Sequence, residues 1–161
     1  MFSIDKDRIN KVGPDQACAE WLLRNGAFIK WCGSKKYLKD YNLIPQEMSH
    51  LQLQSVDATD SAIHHVGFLY FSGCKHIEQI KLIQCPYVEN EALSLLSCIK
   101  DSLKDIEVMK CKRITDEGLL HLKNLIYLEN LKLGDMPSIK NKSNVLTELS
   151  AALPNCKITY N

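Results

Sequence analysis

A short segment recurs along this chain at a nearly constant interval, and this repetition limits the available folds more than any other feature. The three best copies are IEQIKLIQCPYV (77–88), LKDIEVMKCKRI (103–114) and LENLKLGDMPSI (128–139). They begin 26 residues apart (77 to 103) and then 25 residues apart (103 to 128). Stepping back by 26 and forward by 25 reaches two weaker copies, which include Leu51, Val56 and Ala62 at one end and Leu153, Cys156 and Ile158 at the other.

Each copy follows the pattern L-x-x-L-x-L-x-x-C and then continues into a helix-like segment. The alternating L-x-L spacing predicts a short strand, and the three- and four-residue spacing in ALSLLSCI (92–99) and GLLHLKNL (118–125) predicts helices. Stacking would bury the apolar face that each unit exposes alone. We therefore predict an α/β fold in which residues 51–161 form a short leucine-rich-repeat solenoid of about four to five β-α repeats.

The first 50 residues precede the repeats and carry a different composition. Pro14 after Gly13 predicts a helix start, and Gly26 predicts the helix end. Aromatic side chains crowd the segment at Trp21, Phe28, Trp31, Tyr37 and Tyr41. An uncovered first repeat would expose its core, so we predict that residues 1–50 form a helical capping domain. A ligand pocket between the two tryptophans is the alternative.

Strand alternation also predicts which side chains leave the core. If the Leu and Ile columns face inward, the intervening residues form the concave face of the sheet. These candidate partner-contact residues are Lys81, Ile83, Glu107, Met109 and Lys132. Exposed apolar residues framed by charges favour a protein-binding patch. The alternative is that the bulky residues only shield a short sheet.

The cysteine at the end of the repeat pattern invites a catalytic interpretation, but a structural one is favoured. A buried turn needs partners for its backbone, and a thiol is small and bonds weakly, so Cys85 and Cys111 are predicted to be structural. The chain has seven cysteines and no C-x-x-C motif, which indicates free thiols in a reducing compartment.

Composition and motifs exclude several classes of function. The formal net charge is +1, without the clustered basic surface of a nucleic-acid-binding protein. No apolar run is long enough for a transmembrane segment. Residues 1–15 lack the Arg- and Ser-rich composition of a transit peptide, so either the protein stays where it is made or the sequence begins after a presequence. No catalytic constellation is visible, and we predict that the protein is not an enzyme.

The segments VGPDQACAEWLLRNGAFIKW (12–31), LKDYNLIP (38–45) and DATDSAI (57–63), with the cysteine-type repeats, resemble the coupling factor B family, also called subunit s of mitochondrial ATP synthase. The resemblance implies a non-enzymatic coupling factor that limits a proton leak at the membrane sector of the synthase. It also implies ATP synthase membrane-sector subunits as partners. The implied location is the matrix side of the mitochondrial inner membrane, with peripheral association through protein.

The resemblance further implies magnesium as a bound ion, with metal contacts at Gly26 in RNGAF and Thr59 in DATDS. Glycine offers only backbone atoms and threonine a hydroxyl or carbonyl, both hard oxygens of the kind that Mg²⁺ prefers. Thr59 also falls on the cysteine column in the 26-residue alignment, where it would close a turn. Family members carry a Cys-x-Cys pair in the second repeat; here Ile83 replaces the first thiol, which argues against a local dithiol switch.

Two other functions remain open from the sequence. A related family member is linked to assembly of respiratory complex I, and the sequence does not separate the two roles. Leucine-rich repeats of the cysteine type also serve as substrate receptors of ubiquitin ligases, whose adaptor-binding box is rich in Leu and Pro. NLIPQEMSHL (42–51) begins like such a box, but the helical remainder is missing.

Overall fold

The computed structural model describes residues 3–44 and 50–161. Its strands form one six-stranded sheet: β1 Phe28–Trp31, β2 Leu53–Asp57, β3 Gln79–Ile83, β4 Asp105–Met109, β5 Asn130–Gly134 and β6 Lys157–Tyr160. Its α-helices are α1 Lys6–Val12, α2 Pro14–Arg24, α3 Asn90–Leu95, α4 Asp116–Leu120 and α5 Lys142–Ala152. Short 3₁₀ helices cover Tyr41–Leu43, His65–Gly73, Leu96–Ile99 and His121–Asn124. The predicted α/β class is confirmed.

The strands lie side by side in the order of the sequence. Strands β2 to β6 are parallel, while β1 pairs with β2 in the antiparallel direction. A helical segment connects each parallel strand to the next, as parallel neighbours require. This order brings equivalent positions of successive units into contact.

The apolar columns of the three central copies are stacked in register. Ile80 pairs with Ile106, which pairs with Leu131, and the column of Leu82, Val108 and Leu133 runs beside them. All six side chains are buried. Residues that are 26 or 25 positions apart in the sequence are therefore neighbours on adjacent strands of the sheet.

At both ends the observed register differs from the 26- and 25-residue spacing. Val56 pairs with Ile80, an offset of 24 residues, and Leu131 pairs with Ile158, an offset of 27. The cysteine column consequently continues to Ser61, whose hydroxyl lies 3.9 Å from the Cys85 thiol. Placing Thr59 on this column was therefore wrong, because the first connection is two residues shorter than the alignment assumed.

The N-terminal segment contains a strand as well as the predicted helix. Helix α2 begins at Pro14, and Gly26 follows its end with a φ of +84°, a left-handed conformation that favours glycine. Strand β1 then extends the sheet, and Leu38 bridges to Ile29 on its outer side. The segment is therefore helical only in part, because β1 covers the sheet edge by backbone pairing. That it acts as a capping domain stays a prediction.

The core is continuous from the N-terminal segment into the repeats. The Trp21 indole contacts the rings of Phe68 and Phe71, with centroid distances of 6.1 and 5.5 Å. The Asp15 carboxylate accepts a hydrogen bond of 2.8 Å from the backbone N–H of Leu53. The division into domains at residues 50 and 51 stays a prediction.

Candidate functional site

The solvent-facing side of the sheet carries rows of side chains that run across the strands. The middle row contains Phe28, Asp57, Lys81, Glu107, Lys132 and Thr159. The carboxyl row, nearer the carboxyl ends of the parallel strands, contains Ile83, Met109 and Gly134. Thr59 lies next to this row, because the residue after it, Asp60, donates its backbone N–H to the Ile83 carbonyl at 2.9 Å. All five predicted partner-contact residues lie in these two rows. That they bind a partner stays a prediction.

The middle row alternates in charge from strand to strand. Asp57, Lys81, Glu107 and Lys132 lie in register, at the roughly 5 Å spacing of neighbouring strands. Within the described part of the chain, none of the four belongs to an ion pair shorter than 4 Å. The Asp57 carboxylate accepts from the backbone N–H and the hydroxyl of Thr59, so Lys81, Glu107 and Lys132 are the charged groups of this row that a partner of matching charge pattern can contact.

The carboxyl row supplies the apolar part of this face. Ile83 and Met109 pair across β3 and β4 and are both half-buried. Gly134 has no side chain, and the Met109 methyl lies 3.8 Å from the position that a Cβ at Gly134 would occupy. Two neighbouring apolar side chains beside alternating charges form a surface suited to protein contact.

The two predicted structural thiols lie on the other side of the sheet. Cys85 and Cys111 are fully buried, and their Sγ atoms donate to the carbonyl oxygens of Ala58 at 3.0 Å and Leu82 at 3.3 Å. Each thiol thus contacts the backbone of the preceding unit. A hydrogen bond with Cys111, together with burial, raises the pKa of the Cys85 thiol well above its ordinary value. The same hydrogen bond lowers the pKa of the Cys111 thiol, but both thiols are fully buried and out of reach of a substrate. Their burial therefore supports a packing role.

The predicted metal contacts lie near the antiparallel pair of β1 and β2, but neither belongs to a strand. The Asn25 carbonyl accepts a hydrogen bond of 2.8 Å from the Ala62 N–H, and a Cβ at Gly26 would lie 3.9 Å from the Ser61 Cα. That Gly26 and Thr59 act together at one site stays a prediction. The Thr59 hydroxyl donates to Asp57 Oδ1 at 2.6 Å, which leaves the hydroxyl oxygen free to accept or to bind a cation. A hydroxyl oxygen is a hard ligand of the kind that Mg²⁺ accepts, and that the ion binds here stays a prediction.

Two absences apply to residues 3–44 and 50–161. No group of three or more His, Cys, Asp and Glu side chains is arranged to hold a metal ion there. None of the helices in these ranges has the length and apolar composition needed to cross a membrane. Part of the proposed adaptor box, residues 45–49, lies outside the described residues.

Three members of the middle row were not predicted from the sequence: Phe28, Asp57 and Thr159. Phe28 lies on β1, which was expected to belong to a helical cap, and Asp57 lies on β2, whose register was misplaced by two residues. The alternation of FIKW in β1 is the only signal, and four residues are too few to distinguish a strand.

Comparison with known proteins identifies close relatives. No family model matches the chain. A protein of Rattus norvegicus named mitochondrial ATP synthase subunit s is 39% identical over 162 residues, which cover 98% of this chain and 81% of the relative. Proteins of the same name from Homo sapiens and Pongo abelii are 39% and 41% identical, each covering 96% of this chain and 80% of the relative. The chain therefore belongs to the family of ATP synthase subunit s, the coupling factor B family.

Proposed function

We propose that this protein is a non-enzymatic accessory subunit associated with mitochondrial ATP synthase. The observation that carries the proposal is the identity of 39 to 41% with proteins named ATP synthase subunit s over nearly the whole chain. The exposed rows of the sheet support it, because they present charged and apolar groups suited to a protein partner.

The proposed role is to limit a proton leak at the membrane sector of the synthase. A protein in this role binds membrane-sector subunits from the matrix side of the inner membrane and is held there by protein contacts. Lys81, Ile83, Glu107, Met109 and Lys132 are the proposed contact residues. Their position on one face gives the partner a continuous docking surface.

The stacked units are proposed to be leucine-rich repeats of the cysteine type. The in-register apolar columns support this assignment, as do the thiols that bond to the preceding unit. In such arrays the sheet forms the binding face and the helical connections form the outside. The assignment therefore agrees with the proposed docking surface.

A weak magnesium site at Gly26 and Thr59 is the further part of the proposal. Thr59 would contribute an oxygen ligand and Gly26 a backbone carbonyl, with the Asp57 carboxylate nearby. Replacing Thr59 by Val keeps the side-chain shape and removes the hydroxyl. Calorimetric titration with MgCl₂ should show binding to the wild-type protein and none to Thr59→Val; equal heats for both proteins would contradict the site.

Affinity capture from detergent-solubilised mitochondria tests the proposed association. The tagged chain should retain ATP synthase subunits in preference to complex I subunits, quantified by mass spectrometry. Enrichment of complex I subunits would favour an assembly factor instead. Capture of ubiquitin-ligase adaptors, with a cytosolic location, would contradict the proposal.

A further inference from the structure

A groove runs along the carboxyl ends of β3, β4 and β5, next to the carboxyl row. It is lined by Gln84, Pro86, Lys110, Lys112, Met136 and Pro137. We refer to these six residues as the carboxyl-edge groove. None of them belongs to the predicted contact set.

The fold holds the groove in a defined shape. The residue after each strand adopts a left-handed conformation, with φ of 54° at Gln84, 55° at Lys110 and 49° at Asp135. The Gln84 N–H donates to Met109 at 2.9 Å, and the Lys110 N–H donates to Gly134 at 3.2 Å. Each turn is thereby bonded to the next strand, so the side chains leave from fixed backbone positions.

Repeat spacing places a rigid apolar residue on each side of the central turn. Pro86, Lys112 and Pro137 occupy equivalent positions of three successive units, and all three are exposed. Met136, which is almost fully buried, closes the groove floor beside Pro137. The groove thus combines ammonium groups in its centre with apolar, conformationally restricted walls.

The two lysines of the groove have no carboxylate partner within 4 Å in the described part of the chain. The neighbouring Arg113 does, because it forms a 3.0 Å ion pair with Glu89. Asp60 and Asp135 lie at the two ends of the groove. Acidic groups at both ends disfavour a broad anionic surface such as a membrane and favour one carboxylate in the centre.

We propose that the carboxyl-edge groove binds a partner segment in which a carboxylate side chain is flanked by apolar side chains. The carboxylate lies between Lys110 and Lys112, and its apolar neighbours contact the proline walls and Met136. The inference rests on the proposed function for the source of this segment, a subunit of ATP synthase. It extends the docking surface from the sheet onto the turns.

Fluorescence anisotropy with defined peptides tests the chemistry of the groove. The probes are a labelled peptide in which glutamate and leucine alternate between glycine ends, and the same peptide with lysine in place of glutamate. The wild-type protein should bind the glutamate peptide at least about tenfold more tightly than the lysine peptide. Lys110→Glu/Lys112→Glu should reverse this preference. The matched control Lys100→Glu/Lys104→Glu should retain it, because Lys104 directly precedes β4 and Lys100 follows the 3₁₀ helix before it, both away from the groove.

Retention of solubilised ATP synthase by the same variants separates the two proposals. The groove is supported if Lys110→Glu/Lys112→Glu no longer retains ATP synthase while the control Lys100→Glu/Lys104→Glu still does. Undiminished retention in that variant, or the absence of a peptide preference, overturns the groove and leaves the proposed function standing. A peptide preference without retention by the wild-type protein supports the groove chemistry and contradicts the proposed function. Equal binding of both peptides with tight binding to phosphatidylcholine–phosphatidylglycerol vesicles would overturn the inference in favour of a lipid site.

Discussion

Cys85 and Cys111 show how one residue type meets two requirements of a stacked fold. Each side chain fills a buried corner after a strand and donates to a carbonyl of the unit before it. In the first unit Ser61 occupies the same position, and in the last central unit Met136 does. The position therefore requires a small or flexible buried side chain, and a reactive thiol is not needed.

Thiol reactivity tests this role directly. Cys32 and Cys98 are exposed, Cys156 is half-buried, and Cys18, Cys74, Cys85 and Cys111 are buried. In the native protein an aromatic disulfide reagent should modify the two exposed thiols first and the four buried thiols only after denaturation. Mass spectrometry locates the modified residues. Rapid modification of Cys85 or Cys111 under native conditions would show that these thiols are accessible and would contradict a purely structural role.

At the scale of elements, an ion pair joins the first two helices. The Arg8 guanidinium donates to both carboxylate oxygens of Glu20, at 2.8 and 2.7 Å, and Gln16 adds a third bond at 3.3 Å. The Glu20 side chain is only 5% exposed. Burial acts to raise the pKa of this carboxyl, but the bonds from Arg8 and Gln16 outweigh burial and lower the pKa below its ordinary value.

This lowered pKa predicts a pH dependence of folding. Because the folded-state pKa is depressed, the ionised carboxylate stabilises the fold above the unfolded-state pKa, and this stability is lost as pH falls through the folded-state pKa. The free energy of unfolding of Glu20→Gln should thus be lower than that of the wild-type protein at about pH 7, with a gap that shrinks towards about pH 3.5. Urea unfolding across this range measures the gap. A gap independent of pH would contradict the account, and Glu117→Gln, at an exposed position, is the control.

The elements also show how far the sequence predicts the structure. The central strands were predictable because leucine, isoleucine and valine occupy the inward positions of β3, β4 and β5. The registers of β2 and β6 were not predictable. Ser61 replaces the cysteine in the first unit, and the connection to β6 is two residues longer than the 25-residue spacing assumed. The predicted helices in the repeats proved to be short α-helices that continue as 3₁₀ helices, since spacing alone does not distinguish the two.

Contact residues could be predicted where they lie in strands but not where they lie in turns. Strand alternation placed Lys81, Ile83 and Met109 on one face, since period-two spacing fixes the side of every residue in a strand. The lysines of the carboxyl-edge groove lie in turns, where no periodicity exists. Only the structure shows that Lys110 and Lys112 lie between residues of adjacent units.

At the scale of the whole molecule, one continuous core connects the N-terminal helices to the last repeat unit. The two ends of the sheet differ, because Leu38 bridges to β1 while β6 follows helix α5. Between them the solvent-facing rows form a surface that crosses all six strands. We propose that this surface, extended onto the turns by the carboxyl-edge groove, binds ATP synthase, and that exposed side chains near the amino ends of the strands do not.

The most direct test is the affinity of the purified chain for solubilised ATP synthase, measured as a binding isotherm for three proteins. Ile83→Asp/Met109→Asp places two carboxylates in the carboxyl row, and Tyr127→Asp alters a side chain that is 57% exposed near the amino end of β5. All three proteins should unfold at similar temperatures, because neither substitution enters the core. The account predicts that the double variant binds at least about thirtyfold more weakly than wild type, while Tyr127→Asp binds like wild type. Equal affinities for wild type and the double variant would contradict the account.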